Sequence, residues 1–262
     1  PEQIARTTRA PLPAHFWTLP IPAQPPSPFA HSPALSPESC AQCHRQQAAD
    51  WSTSRHAQAL SPGLLSQLIG GEDGLTRHCL TCHAPRQEQW EDLRSATTPT
   101  PGHGITCSAC HVRDHIYYGP PADSLQPASS QLGEKHHGGA ILSPALSRSA
   151  FCTACHQFDK TGLALNGKPL QNTHGEWAIS SQRAEGQTCQ TCHMPNGRHT
   201  WPGIRNPELV SSALEMDLAL REAPVGQVAA TIYLHNRGAG HHIPTYSTPA
   251  LFVKVFLADE HG

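Results

Sequence analysis

The sequence predicts a mostly irregular fold with short α-helices, followed by a small β-rich domain at its C-terminal end. Three observations support this fold class. Only 37% of the 262 residues are hydrophobic, and there are 25 prolines and 20 glycines, so the chain has too few apolar side chains for a large core. Ten cysteines recur in identical short units, and two β-rich segments follow the last of them. Something other than side chains must therefore fill the interior.

All ten cysteines belong to five C-x-x-C-H units, whereas chance would supply about 0.03 of these units in such a composition. In c-type cytochromes the two thiols of this unit bond to the vinyl groups of a haem, and the histidine binds the iron as proximal ligand. The pattern predicts five covalent haem c groups, each with one iron, around which the helices pack. The units are Cys40/Cys43/His44, Cys79/Cys82/His83, Cys107/Cys110/His111, Cys152/Cys155/His156 and Cys189/Cys192/His193.

Zinc ribbons and disulfides are the alternative interpretations of these cysteines. Paired C-x-x-C units about 15–20 residues apart are typical of zinc sites. Here successive units begin 39, 28, 45 and 37 residues apart, and a histidine follows every one of them. The spacing therefore favours haem attachment.

The second axial position of each iron decides between electron transfer and chemistry on a bound molecule. The chain has only two methionines, and Met194 directly follows the proximal His193, where it is badly placed for the opposite face. Of the 19 histidines, 14 remain after the five proximal ones. Histidine on both faces is therefore predicted at most or all of the haems, with lower potentials than methionine ligation would produce.

Several of these histidines are candidates for the distal position. His56 follows Trp51 in the pattern W-x-x-S-x-H-A, where packing of Trp51 against a macrocycle would aim His56 at an iron. His199 lies in a Pro- and Gly-containing turn after the fifth unit, which can fold back over a neighbouring haem. The other candidates are His103, between two glycines before the third unit, and one of the pair His136 and His137, with His78, His115 and His174 in reserve.

Short helices are predicted over residues 48–60, 86–94, 145–157 and 176–185. The last repeats the first in part, because Trp177 occupies the place of Trp51. Gln182 stands where His56 would recur, so the later copy lacks its ligand. The fifth haem would then take its distal ligand from elsewhere, such as His174.

Composition along the chain predicts three regions. The first is rich in proline and is expected to run extended as an arm. The haem-binding region follows, and the third contains β-rich segments at 227–235 and 250–258. Because two or three strands are marginal in water, the native polypeptide is expected to continue or the sheet to pair with another subunit. The regions are residues 1–37, 38–205 and 206–262.

The formal net charge of −2 excludes a strongly basic surface, and no nucleic-acid partner is expected. No run of 18 apolar residues occurs, so no transmembrane segment is expected in this chain.

The five units, the W-x-x-S-x-H-A pattern, the stretch E-W-x-x-S leading to G-x-T-C-x-x-C-H-M-P, and N-x-G-A-G-H-x-x-P-T at 236–245 resemble one family. It comprises multihaem cytochromes related to the tetrahaem cytochrome of nitrifying bacteria and to extracellular respiratory cytochromes. The resemblance covers about residues 38–258. It implies a distal role for His56 and contact between His241 and a haem, although Tyr246 stands where relatives often have glycine.

The resemblance also implies export before haem attachment, and hence a periplasmic, cell-surface or extracellular location in respiration. Some relatives polymerise into filaments in which one subunit donates a histidine to a haem of the next. A homopolymer or a neighbouring subunit is therefore a predicted partner, beside redox partner proteins.

Electron transfer along the haems is the predicted function, and the chain is not expected to be an enzyme. The alternative is a redox enzyme for nitrogen or sulfur oxyanions, which needs one open iron and groups that protonate the substrate. Such reductases carry a C-x-x-C-K unit at the active haem, whereas all five units here end in histidine.

Overall fold

A computed structural model describes residues 12, 16–17, 35–68, 73–95, 104–113, 116–121, 137, 140–159, 161–224, 226–246 and 249–258. The chain divides into two compact units. The first comprises residues 1–155 and 188–202, and the second comprises residues 156–187 and 203–262. The predicted candidates His103 and His136, and nearly all of the proline-rich arm, lie outside the described residues.

The helices are short, as the lean composition predicts. The α-helices are α1 Pro37–Ala41, α2 Arg45–Thr53, α3 Pro62–Leu68, α4 Asp73–His83, α5 Gln87–Ser95, α6 Cys107–His111, α7 Thr153–His156, α8 Thr173–Ala178, α9 Ser181–Ala184, α10 Cys189–His193 and α11 Pro207–Ala213. Short 3₁₀ helices span Pro144–Ser147, Ser149–Cys152 and Pro195–Gly197. The strands are β1 Val112–Arg113, β2 Ile116–Gly119, β3 Ala140–Leu142, β4 Ala164–Leu165, β5 Lys168–Pro169, β6 Leu214–Glu222 and β7 Val228–Asn236.

A small apolar cluster lies among α3, α4 and α5 of the first unit. The indole N–H of Trp90 donates to the carbonyl of Ala84 over 2.6 Å, which satisfies the polar end of a buried side chain. The buried members are Leu60, Leu65, Leu80, Ala84 and Trp90. Such a cluster is modest for a unit of this size and leaves much of the interior to be filled by something else.

A second buried cluster is aromatic. Phe16 is only 1% exposed and packs edge-on against Tyr118, with ring centres 5.1 Å apart. The guanidinium of Arg113 lies 4.0 Å from the centre of the Phe16 ring and donates to the Phe16 carbonyl. At this point the predicted arm is therefore packed into the first unit.

A three-stranded sheet follows the third C-x-x-C-H unit directly. β1 pairs antiparallel with β2, and β2 pairs parallel with β3. Since β1 begins at Val112, immediately after His111, this sheet positions the backbone beside that histidine.

The main feature of the second unit is an antiparallel hairpin of β6 and β7, paired from Leu214↔Asn236 to Glu222↔Val228. Strand β7 lies where residues 227–235 were predicted to be extended. The other predicted strand, residues 250–258, has no strand pairing, and Phe252 is 86% exposed. Within the part of the chain that the structure describes, no helix is long and apolar enough to cross a membrane.

Candidate functional site

The cysteines of all five C-x-x-C-H units lie on short helices or close to their ends. Side-chain caps are present at the start of two of these helices. The hydroxyl of Ser36 accepts the backbone N–H of Ser39 before α1, and Thr188 and Thr191 form a reciprocal capping box at α10. The caps set where these two helices begin.

Thiols from different C-x-x-C-H units contact each other within the first compact unit. Cys40 of the first unit contacts Cys107 of the third, and Cys152 of the fourth contacts Cys189 of the fifth. A further contact joins Cys82 of the second unit to Cys155 of the fourth. The five attachment points therefore converge, although they are spread over about 150 residues of sequence.

Two of the predicted attachment cysteines, Cys43 and Cys192, differ from the others because they do not face the interior. Both are exposed, whereas the other eight cysteines are half-buried. The reason is positional, since Cys43 follows the end of α1 and Cys192 lies near the end of α10, while Cys40 and Cys189 make the contacts with other units. Thioether attachment at all ten cysteines stays a prediction.

The third and fourth units are also close to each other. The pKa of Cys152 is raised first by its contact with Cys189, then by burial and by the charge of nearby cysteines that include Cys110. Burial raises the pKa of Cys110 itself to about 11. In space, the first C-x-x-C-H unit is next to the third, the third is next to the fourth, and the fourth is next to the fifth. This order differs from the order of the units along the chain.

Backbone carbonyls orient three of the proximal histidines. The Nδ1 atom of His111 lies 2.8 Å from the carbonyl oxygen of Tyr118, and that of His193 lies 2.6 Å from the carbonyl oxygen of Pro202. His83 Nδ1 is 2.8 Å from the carbonyl oxygen of Ala59. An Nδ1–H that donates to a carbonyl leaves the lone pair on Nε2, which is the tautomer of a metal-bound imidazole.

Two of the predicted distal histidines lie close to proximal histidines. The ring centres of His111 and His199 are 6.2 Å apart, and those of His44 and His137 are 5.9 Å apart with the rings 8° from parallel. Two imidazoles that bind one metal ion from opposite faces, each at about 2 Å, have ring centres roughly 6 Å apart. Both pairs therefore fit the axial ligands of a single iron.

His199 has the same Nδ1 arrangement as the proximal histidines, since its Nδ1 is 2.9 Å from the carbonyl oxygen of Gly197. Burial lowers the pKa of His111 and of His199, so both rings are neutral near pH 7. Neutral imidazoles with bare Nε2 atoms and paired thiols are the donor set that haem c requires. The residues present thus fit the cofactor that the motifs imply.

The W-x-x-S-x-H-A pattern is anchored at its tryptophan and at its serine. Trp51 is buried, and its indole N–H donates to the carbonyl of Ile105 over 2.7 Å. The hydroxyl of Ser54 accepts the N–H of Ala57, which holds the turn that carries His56. The ring of His56 meets Trp201 edge-on at 4.5 Å, and Trp201 also meets His199 at 5.2 Å.

His241 lies in the second unit, where the predicted motif stretches pack together. The carboxylate of Glu176 on α8 accepts the backbone N–H of His242 over 2.9 Å and the hydroxyl of Thr245 over 2.7 Å. A Cβ on Gly240 would lie 3.0 Å from the Trp177 ring, so a larger residue there would require that ring to shift by a few tenths of an ångström. His241 Nδ1 is 2.9 Å from the carbonyl oxygen of His242.

Of the reserve candidates, His115 lies outside the described residues. His174 lies in the second unit with its ring centre 5.2 Å from that of Trp177, and the proximal His156 has Nδ1 2.9 Å from the side-chain amide of Gln171. Sequence reasoning missed one residue of the site, Asp50, which is buried beside Trp51. The residues one helical turn away from it, Gln46, Gln47 and Thr53, are polar, so no pattern in the sequence marks it as buried.

The family model described as "Cytochrome c554 and c-prime" matches residues 39–112. No curated protein matches the chain at a significant level. Among solved structures, a penta-heme cytochrome c552 from Thermochromatium tepidum is similar, with 24% identity and a TM-score of 0.55, over 81% of this chain and 68% of that one. The family match and the similarity of fold agree with the motif pattern, which is that of multihaem c-type cytochromes.

Proposed function

We propose that this protein relays electrons through five covalently bound c-type haems, most of them with histidine on both faces of the iron. The observation that carries the proposal is the convergence of the five units in space, since each of them contributes at least one thiol to a contact with another. Attachment points that contact each other place their cofactors close together, and close carriers form a continuous path. Bound haem supplies an iron that alternates between ferric and ferrous states.

Within this proposal, two pairs of histidines each bind one iron. His111 and His199 serve one iron, and His44 and His137 serve another, because each pair has the spacing of two axial imidazoles. The remaining proposed distal ligands are His56 and His241, with His103 as a candidate outside the described residues, and His137 takes the place that the sequence left open between it and His136. Backbone carbonyls at the Nδ1 atoms keep the ligand rings in one tautomer and orientation.

The proposal also places the protein outside the cytoplasm, in the periplasm, at the cell surface or beyond it, in respiratory electron transport with redox partner proteins. Assembly into filaments is an extension of it. Exposed apolar side chains on the hairpin support an extended contact with a neighbour, since Leu218 and Leu220 are 59% and 63% exposed. Negative-stain microscopy of native material would separate a polymer from a single molecule.

Carbon monoxide binding to the reduced protein tests the proposal against a redox enzyme. We expect little fast uptake in the wild type, because six-coordinate irons have no open position. His199→Ala is expected to open one iron per chain, which then binds carbon monoxide and becomes high-spin. His235→Ala, on the hairpin of the second unit, is the matched control and should leave the spectrum unchanged.

An intact mass with five added haems is expected for the purified protein. Three or more irons that bind carbon monoxide in the wild type would contradict ligation by two histidines. One open iron in the wild type would instead favour the enzyme, and the substrates to test would then be nitrogen and sulfur oxyanions.

A further inference from the structure

The buried carboxylate of Asp50 accepts a hydrogen bond from the turn that carries His199. We propose that Asp50 is a positioning residue, which holds the backbone of His199 at the distance from His111 that one iron requires. This inference rests on the proposed ligation of an iron by His111 and His199. It adds a residue that neither the motifs nor the fold comparison assigns.

Asp50 lies on α2 and is 4% exposed. Its Oδ2 atom accepts the backbone N–H of His199 over 3.0 Å and the Nε–H of Arg198 over 2.7 Å. Its Oδ1 atom accepts Arg198 Nη2 over 2.6 Å and Gln46 Nε2 over 2.9 Å. Both oxygens are thus fully used, and three of the four donors belong to residues 198 and 199.

The charge on Asp50 is maintained by these contacts. The hydrogen bond from Arg198 holds the pKa of the carboxyl well below its usual range, against the opposing effect of burial. A paired fork between a carboxylate and a guanidinium fixes both the distance and the plane of the two groups. The backbone of the turn is therefore held at a defined place on α2, 148 residues away in sequence.

The turn has an unusual backbone conformation at one residue. Trp201, two residues after His199, has a φ of 42°, in the left-handed region that bulky side chains rarely adopt, whereas Asn196, with a φ of 55°, is of a residue type that tolerates this region. A conformation of this kind is kept only where surrounding contacts hold it. Asp50 supplies a contact at the middle of this segment.

The position and the orientation of the His199 ring have separate sources. The carbonyl of Gly197 and the edge of Trp201 orient the ring, and both belong to the turn itself. They would move with the turn if it shifted. The contact with Asp50 joins the turn to α2, which follows His44 directly, and so sets its distance from the motif cluster.

The test uses the spin state of the holoprotein and carbon monoxide binding to its reduced form. His199→Ala defines the signal of one open iron. Asp50→Asn keeps the shape but removes the charge and turns one acceptor into a donor, and we expect it to open at least half of the irons that His199→Ala opens. Added imidazole should restore the low-spin spectrum in both variants.

Arg198→Ala is a second variant in case Asp50→Asn does not fold. The Arg198 side chain is 51% exposed, so its removal leaves no buried void, and the bond from the His199 N–H to Asp50 remains. A smaller open fraction than in Asp50→Asn is expected. Glu215→Gln, which removes an exposed ion pair with Arg237 in the second unit, is the control and should stay low-spin.

The outcomes separate the two levels of inference. Wild-type spectra in Asp50→Asn or, where that variant does not fold, in Arg198→Ala, together with an open iron in His199→Ala, would refute the role of Asp50 and leave the ligation intact. A fully low-spin His199→Ala protein would refute the ligation and the inference with it. A lower melting temperature with unchanged spin state would show that the pair only stabilises the fold, and would also refute the proposal.

Discussion

Alanine at both cysteines of the third C-x-x-C-H unit, Cys107 and Cys110, is expected to remove one haem and to interrupt the electron path near its middle. Cys107 contacts Cys40 of the first unit, and Cys110 is close enough to influence the pKa of Cys152 in the fourth. The third attachment site therefore lies between the first and the fourth. Intact mass should fall by one haem, and electron flux across the protein should fall by roughly tenfold or more.

The matched control is the same double replacement at the second unit, Cys79 and Cys82. This replacement is also expected to remove one haem. However, Cys82 contacts Cys155, so the second unit is a branch from the fourth unit. The path through the first, third, fourth and fifth units would remain, so the loss of flux should be small. Protein-film voltammetry with a soluble electron acceptor measures both variants.

Equal losses of flux in the two variants would contradict the spatial order inferred from the thiol contacts. Two proteins of unchanged mass would contradict covalent attachment at these cysteines. Both variants are also expected to be less stable than the wild type, because each lost haem takes away apolar contact in a unit with a small core of its own.

The motif chemistry was readable from the sequence because it is local. Two thiols and a histidine within five residues suffice for one haem, and the prediction of a multihaem c-type cytochrome is confirmed by the family match and the fold. Short helices, irregular segments and small sheets are confirmed as well. The number of bound haems and the ligands at each iron stay predictions.

The spatial order of the units was not readable, because nothing local encodes it. Contact between Cys40 and Cys107 depends on how α1 and α6 pack, which involves residues 67 positions apart. The exposure of Cys43 and Cys192, within units of the same local pattern as the rest, has the same origin. Such differences arise from tertiary packing and leave no periodic pattern in the sequence.

Element boundaries were missed for identifiable reasons. The helix predicted over residues 48–60 ends as α2 at Thr53, since Ser54 adopts an extended backbone and its hydroxyl caps the following turn. Strand β6 was not predicted, although Leu214, Met216, Leu218 and Leu220 alternate with polar or small residues as a half-buried strand would. Residues 250–258 have strand composition but no pairing partner among the described residues, which shows that composition alone does not build a sheet.

Gly104 marks a place where the packing around His56 leaves no room for a side chain. A Cβ there would lie 2.6 Å from both the Ala59 nitrogen and the His56 carbonyl oxygen, which are backbone atoms that cannot rotate away. The N–H of Gly104 donates to the carbonyl of Ala57 over 2.9 Å, and the N–H of Ile105 donates to the carbonyl of His56 over 2.9 Å. The segment before the third unit is therefore locked against the turn that carries His56.

Gly104→Ala is expected to push these two backbones apart and to destabilise the protein by about 1–3 kcal/mol, as overpacking generally does. The melting temperature should fall by several degrees, roughly 2–4 °C for each kcal/mol at this chain length. Since His56 moves with the turn, an iron that it serves should become partly high-spin. Circular dichroism during heating and the visible spectrum at room temperature measure the two effects separately.

Gly63→Ala is the matched control, because Gly63 lies inside α3 and a Cβ there would meet only the Ser61 hydroxyl at 4.0 Å. Alanine in an open helical position is expected to stabilise by about 0.5–1 kcal/mol through the entropy of the unfolded chain. Opposite signs for the two substitutions would establish that the effect at Gly104 is steric. Equal melting temperatures would show that the two backbones separate at no cost, and the placement of His56 would then owe nothing to this contact.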